Sequence, residues 1–262
     1  MHDPQRKGEA FRALHAGEPF VLPNPWDAGS ARVLEALGFK AVASTSSGFA
    51  FTHGRLDGNV TLDQVVQHAE ELDRAIDLPV SIDLEHGYGR EPERAAHAIE
   101  RVAKAGAVGA SIEDNDPSQG IYEISFAVDR IAAAAQTAHA LAFPFTLTAR
   151  AENHIRGHPD LDDTIARLQA FEAAGADVLF APGLRTGAEI RRVCEAVSKP
   201  VNVLALRRMS MSEILEAGAQ RISVGGGLTW IAVNAMAGAA RSILAGDLSV
   251  LESGPPLEEW FA

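Results

Sequence analysis

Eight short apolar runs recur along the chain, each followed by a stretch of helical periodicity, and this alternation constrains the fold more than any single residue. The runs begin at Phe20, Ala41, Pro79, Val108, Pro144, Ala176, Pro200 and Arg221. Between them lie helical segments such as Leu62 to Ala75, Pro92 to Ala105, Asp129 to Ala140, Asp162 to Ala174 and Ser212 to Ala217. Several end in a pair whose glycine accepts the left-handed conformation that stops a helix: Leu37-Gly38, Ala105-Gly106, Ala174-Gly175 and Ala217-Gly218. Runs that are apolar on both faces read as buried parallel strands, since a sheet with one wet face would alternate. Repeated strand-helix units therefore predict an α/β fold, a single (β/α)8 TIM barrel, whose site lies at the C-terminal ends of the strands.

One such barrel accounts for all 262 residues, so residues 1–262 are expected to form one domain. Gln5 to Ala16, with Phe11 and Leu14 at helical spacing, predicts a leading helix over one end of the core. Asp27 and Ser30 are candidate caps for the helix after Pro23-Asn24-Pro25. The tail departs from the repeat: Leu228 to Leu244 is a long Ala-rich helix, followed by a short segment through Trp260-Phe261. Its aromatics have no obvious place in their own barrel, so 228–262 is expected to be a C-terminal helical oligomerisation segment.

A formal net charge of −12 argues against a nucleic-acid or anionic-membrane partner. No apolar run approaches bilayer-spanning length and the N-terminus lacks a signal peptide's apolar segment, so a cytoplasmic protein is expected. Cys194 is the one cysteine, on an amphipathic stretch from Glu189 to Val197, and reads as a buried structural thiol.

The chemistry gathers at the strand ends. The third run closes in Asp83-Leu84-Glu85-His86-Gly87-Tyr88-Gly89, and strand alternation would aim Asp83 and Glu85 to one side. Two carboxylates aimed at one point call for a cation between them, and oxygen ligands alone suit Mg2+ better than zinc. The fourth run ends similarly, in Glu113-Asp114-Asn115-Asp116. After the second run, Ser44-Thr45-Ser46-Ser47-Gly48 forms a hydroxyl-rich turn suited to an anionic oxygen, and the following polar loop carries Asp57. The fifth run delivers Arg150, which either binds a substrate carboxylate through two parallel hydrogen bonds or pairs with Glu113 or Glu152. The seventh contributes Asn202 and the eighth ends in Gly225-Gly226-Gly227. Metal, anion pocket and arginine together fit the stabilisation of an enolate.

On these residues the chain resembles the isocitrate lyase and phosphoenolpyruvate mutase superfamily. The matches are the Ser46-Ser47-Gly48 turn, Asp57, Asp83 through Gly89 against an Asp-x-Asp-x-Gly-Tyr-Gly motif, Gly109 through Asp114 against Gly-x-x-x-Glu-Asp, and Thr148-Ala149-Arg150-Ala151-Glu152. The resemblance implies that Asp83 and Glu85 hold Mg2+ (or Mn2+), with Asp57 and Glu113 in its outer shell, and that Ser47, Gly48 and Arg150 contact substrate; Ser46 and Asn202 are candidate substrate contacts from their places at the strand ends. It also implies a last helix swapped between subunits of a homodimer or homotetramer.

The departures bear on the reaction. Lyases of that family carry Lys-Arg-Cys-Gly-His on a gating loop after the fourth strand, and its cysteine serves as the acid/base. Here the loop reads Asn115-Asp116-Pro117-Ser118-Gln119-Gly120-Ile121-Tyr122. Without that cysteine, the expected function is a Mg2+-dependent lyase or hydrolase that cleaves a C–C bond of an oxaloacetate-like 2-oxo or 2-hydroxy acid. Tyr122 or His86 is the candidate proton donor, alongside Arg150, Glu113 and Asp57 as catalytic residues. The alternatives are P–C bond chemistry on a phosphonate, by mutase or phosphonopyruvate hydrolase, or a protein that binds Mg2+ and a 2-oxo acid without turnover.

Overall fold

The computed structural model describes residues 3–205, 209–252, 254 and 257–261, so parts of the expected 228–262 tail lie outside the described residues. Eight strands form one parallel sheet: β1 Phe20–Leu22, β2 Val42–Ala43, β3 Val80–Asp83, β4 Gly109–Glu113, β5 Thr146–Arg150, β6 Val178–Phe180, β7 Val201–Leu204 and β8 Arg221–Ser223. Each strand from β2 to β8 pairs with its sequence neighbour, and β8 pairs with β1. The seam between β1 and β2 is bridged by one backbone hydrogen bond, Ala43 N to Pro23 O at 3.0 Å. Asn24 reinforces it. Its amide donates to the carbonyls of Ala43 and Ser44, and its oxygen accepts from Val224 N and Gly225 N. The expected (β/α)8 barrel is thus nearly closed.

The helices are α1 Pro4–Ala16, α2 Ala28–Ala36, α3 Ser46–Thr52, α4 Leu62–Ala75, α5 Pro92–Lys104, α6 Ile124–His139, α7 Leu161–Ala173, α8 Gly187–Ala196, α9 Met211–Glu216, α10 Gly227–Leu244 and α11 Leu257–Phe261. The caps read from the sequence operate: Asp27 and Ser30 form a reciprocal capping box on α2. The glycines after α2, α5, α7 and α9 all have positive φ. Helix α6 starts at Ile124 rather than Asp129.

The main core lies between the barrel and its helices, built from residues such as Leu72, Ile82, Ile99, Ile112, Leu147 and Leu179. A second cluster, Phe11, Leu22, Ala41 and Val108, forms where α1 closes the N-terminal end of the barrel. There Lys7 is buried and donates to Asp73 at 2.7 Å and to the Ile76 carbonyl at 3.0 Å. Cys194 is half-buried on α8, and burial pushes its thiol up to about 11, in keeping with an inert structural residue. Helix α10 is different: of its 18 residues only Thr229 is buried among those described, and Trp230, Ile231, Met236, Ile243 and Leu244 are exposed.

Candidate active site

Strand β3 stops at Asp83, and the chain beyond it does not keep the alternation expected from the sequence. Glu85 and Tyr88 both adopt left-handed backbone, with φ of 49° and 57°, a conformation that side-chain-bearing residues hold only when surrounding contacts enforce it. The enforcing group is Arg130 of α6, whose guanidinium donates to the carbonyls of His86, Gly89 and Arg90. Glu85 therefore reaches the site through a turn, and its carboxylate accepts from the Tyr88 hydroxyl at 2.7 Å. Burial, with help from the charges on Asp83 and Asp57, pushes the Glu85 carboxyl up to about 7, against the Tyr88 hydrogen bond.

Asp83 is held by its neighbours in register. Ser111 of β4 stands opposite it and donates to Oδ1 at 3.2 Å, Glu85 N does so at 3.2 Å, and Arg150 Nη1 at 3.0 Å. Its own amide donates to Ser44 Oγ at 2.8 Å. Asp83 Oδ2 has no hydrogen-bond partner among the described residues.

Arg150 resolves the choice left open by the sequence. Its guanidinium is taken by three carboxylates, Asp83, Glu113 and Glu152, the last at 2.9 Å from Nε. Arg156 adds a second cation, 3.1 Å from Glu152 and 3.4 Å from Glu113. These arginines define the surroundings of Glu113. Both of its oxygens face arginines, so it is a buried ion-pair partner that fixes Arg150. Three of the five N–H donors of Arg150 are taken by these carboxylates, and its side chain still faces the space at the strand ends.

The residues after β2 form the first turn of α3 rather than a free turn, because the Thr45 hydroxyl caps it by accepting from Gly48 N. Ser47 Oγ lies 3.2 Å from Thr45 Oγ1. Gly48 is required sterically: a Cβ there would meet Thr229, Thr45 and Trp26. Asp57 sits on the exposed loop after α3. Its carboxyl is raised chiefly by desolvation, with the Asp83 charge adding and the Ser46 hydroxyl opposing.

A cavity of about 240 Å³ opens at the C-terminal ends of the strands. Among the expected residues, Ser46, Ser47, Asp57, Asp83, Arg150 and Asn202 line it. Tyr122, His86 and Glu85 do not. The Tyr122 hydroxyl instead donates to Asp116 at 3.3 Å across a small hairpin, Asn115–Asp116 with Gly120–Ile121, and its ring packs under Arg90 and Arg130. His86 is turned toward that packing, with Nδ1 buried and unpartnered and its ring 5.7 Å from Tyr88. Sequence reading missed Arg156, Arg221 and the serines Ser81, Ser111 and Ser223 in the cavity wall. The serines could have been found from inward parity with Asp83 and Arg150; Arg221 looked like the polar start of a strand.

Among the described residues no three His, Cys, Asp or Glu side chains converge enough to chelate an ion unaided. The donor set still fits Mg2+, which binds through one or two carboxylates and keeps the remainder of its ligands as water and substrate. Asp83 and Glu85 would hold it, with Asp57 nearby, and the repulsion that Glu85 and Asp57 both feel from Asp83 is what a dication would relieve.

Comparison with known proteins agrees with this geometry. The phosphoenolpyruvate phosphomutase family matches residues 11–244. An uncharacterised protein of Mycobacterium tuberculosis is 32% identical over 89% of this chain and 88% of its own. The 2-methylisocitrate lyase of Escherichia coli is 31% identical over 77% of this chain and 69% of its own. Among solved structures, a candidate lyase/mutase from Burkholderia cenocepacia superposes with a TM-score of 0.95 at 46% identity, covering 99% of this chain and 96% of the other. The chain belongs to the phosphoenolpyruvate phosphomutase family, within the isocitrate lyase/PEP mutase superfamily.

Proposed function

We propose that the chain is a Mg2+-dependent (or Mn2+-dependent) carbon–carbon lyase acting on a small oxaloacetate-like 2-oxo or 2-hydroxy acid by way of an enolate. The observation that carries this reading is the cavity wall: the carboxylates of Asp57 and Asp83 beside the hydroxyls of Ser46, Ser47, Ser81 and Ser111, with no Cys, His, Tyr or Lys among the described lining residues. Similarity to proteins named oxaloacetate decarboxylase, at 28% identity in Rhodopseudomonas palustris, and 2-methylisocitrate lyase supports it.

When bound, the cation supplies positive charge that stabilises the enolate oxygen. The protein's own part is positional. Ser46 and Ser47, at the start of α3, offer hydroxyls to the substrate's carboxylate. Arg150, tied to Glu113 and Glu152, holds Asp83 in place. In the decarboxylation that best suits this wall, the bond to the leaving carboxylate breaks, its electron pair enters the enolate, and CO2 departs. A water proton then ends on carbon. This step needs no thiol, in keeping with the Asn115–Tyr122 segment that replaces the cysteine-bearing loop. The same reading includes a homodimer or homotetramer, supported by the bare face of α10.

The test is proton and phosphorus NMR of the protein with Mg2+ and oxaloacetate, substituted malates, methylisocitrate or phosphonopyruvate. The expected result is pyruvate from oxaloacetate faster than the metal-only control, lost in Asp83→Ala, which should fold normally. Phosphate release from phosphonopyruvate would move the reaction to P–C chemistry, favoured by a 38% identical candidate phosphonomutase structure at a TM-score of 0.85. Binding of these acids without any product would instead indicate a non-catalytic binder. A product rate equal to the control, or unchanged in Asp83→Ala, refutes the proposal.

A further inference from the structure

Three cations line the cavity among the described residues: Arg150, Arg156 and Arg221. The first two are neutralised by Asp83, Glu113 and Glu152. Arg221 has no carboxylate partner among the described residues, and it is 4% exposed. All of its hydrogen bonds go to neutral groups: Nε donates to Asn202 Oδ1 at 2.9 Å, Nη2 to Thr148 Oγ1 at 3.0 Å, and Nη1 to His15 Nε2 at 3.1 Å. His15 itself stays neutral, because burial and the Arg221 charge together pull it down to about 3.

A guanidinium carries five N–H donors, and these bonds use three, so one on each terminal nitrogen remains for a ligand. Desolvation lowers the group to about 9, so it is still charged at neutral pH. A buried charge surrounded by dipoles alone is unfavourable, and it becomes favourable when a counter-charge arrives. The partners also fix where that counter-charge must sit. Thr148 and Asn202 hold the guanidinium inside the barrel, where Arg221 lines the same cavity as Asp83 and Asp57 of the proposed metal site. Asn202 and Ser223, hydrogen-bonded to each other at 2.9 Å, line the cavity beside it.

We propose that Arg221 determines substrate specificity by holding a second anionic group of the bound acid at the cavity floor, with Asn202 orienting the guanidinium. The inference rests on the reading of the site as one for a small oxaloacetate-like oxo or hydroxy acid, and assigns the residue that selects for its second carboxylate. Arg150 was the arginine that the sequence pointed to, but its charge is already spent on three carboxylates. Among the described lining residues, Arg221 is the cation without a carboxylate partner.

Lactate and malate differ by one carboxylate and make the test. With saturating Mg2+, titration calorimetry on the wild-type protein should show malate binding at least about tenfold tighter than lactate, the scale of a charge-assisted hydrogen-bonded pair. Arg221→Met should bring malate down to the lactate value while lactate stays within about twofold, and Arg221→Lys should recover part of the difference. A merely structural role would weaken both acids alike and leave their ratio unchanged. Equal binding of the two acids by the wild type overturns the inference and leaves the oxo-acid reading standing; so does an undiminished malate preference in a folded Arg221→Met or Arg221→Lys. If the wild type binds neither acid with Mg2+, both readings fall.

Discussion

His68 of α4 is stacked on Phe49, with ring centroids 4.1 Å apart, and its Nε2 has no hydrogen-bond partner among the described residues. Burial pulls it down to about 4, against the pull of Asp27. The native state therefore holds the ring neutral where the unfolded chain, titrating near 6.5, takes up a proton. Its stabilising share is complete above about pH 6.5 and is lost as pH falls toward about 4. The raised carboxyls of Glu85 and Asp114 act with the opposite sign over part of this range, so the wild-type slope alone is uninformative. The difference between wild type and His68→Gln in urea isolates the ring. The variant's deficit should shrink by about 1–2 kcal/mol between pH 7 and pH 5. A deficit that is constant with pH would show that burial does not depress His68 in the fold.

At the scale of elements, the site depends on helices that do not touch the cavity. Arg130 of α6 gathers the carbonyls of the loop after β3, including Gly89 at 2.8 Å, and so keeps Glu85 left-handed beside Asp83. Arg167 of α7 does the equivalent for the end of β4, donating to Asp114 at 3.0 Å and to the Tyr122 carbonyl at 2.7 Å. Asp114 in turn accepts from Glu152 N at 2.8 Å, which joins β4, β5 and α7 in one network. Releasing the loop should loosen the proposed metal site before it unfolds the barrel. Arg130→Met is expected to weaken Mg2+ binding by about tenfold, as outer supporting contacts commonly do, with the far-ultraviolet circular dichroism preserved. An unchanged Mg2+ affinity would mean the loop holds its own shape.

For the whole molecule, the informative feature is α10. An 18-residue helix with one buried side chain, presenting Trp230, Ile231, Met236, Ile243 and Leu244 outward, is not stabilised by its own barrel. After it the chain returns: α11 packs on α2, where Arg32 lies 5.5 Å from the Phe261 ring centre. The proposed homo-oligomer would cover this face with a second copy of the chain. Light scattering should then give a mass that is a multiple of 27.8 kDa, and Ile231→Glu with Met236→Glu should shift it toward the monomer. A wild-type monomer at micromolar concentration would remove the interface.

Much of this was legible in the linear order of residues, because it is local. Strand-helix alternation, caps such as Asp27 with Ser30, and helix-ending glycines depend on neighbours a few positions apart, and they specify a barrel with Asp83, Asp57, Arg150 and Ser47 at one end. What the tertiary structure decided is which charges meet. Glu113 and Arg150 are 37 positions apart, and Arg221 and His15 206 apart. Spacing cannot reveal that the first pair neutralises itself while Arg221 is left with neutral partners. The same limit applies to Tyr122 and His86, whose residue types suit proton transfer but whose backbone turns them into the packing beneath Arg130. Sequence alone determined the scaffold and the kind of chemistry it carries. Closure of the barrel decided which residues are free to perform it, because ion pairing acts through space between strands that the chain order keeps far apart.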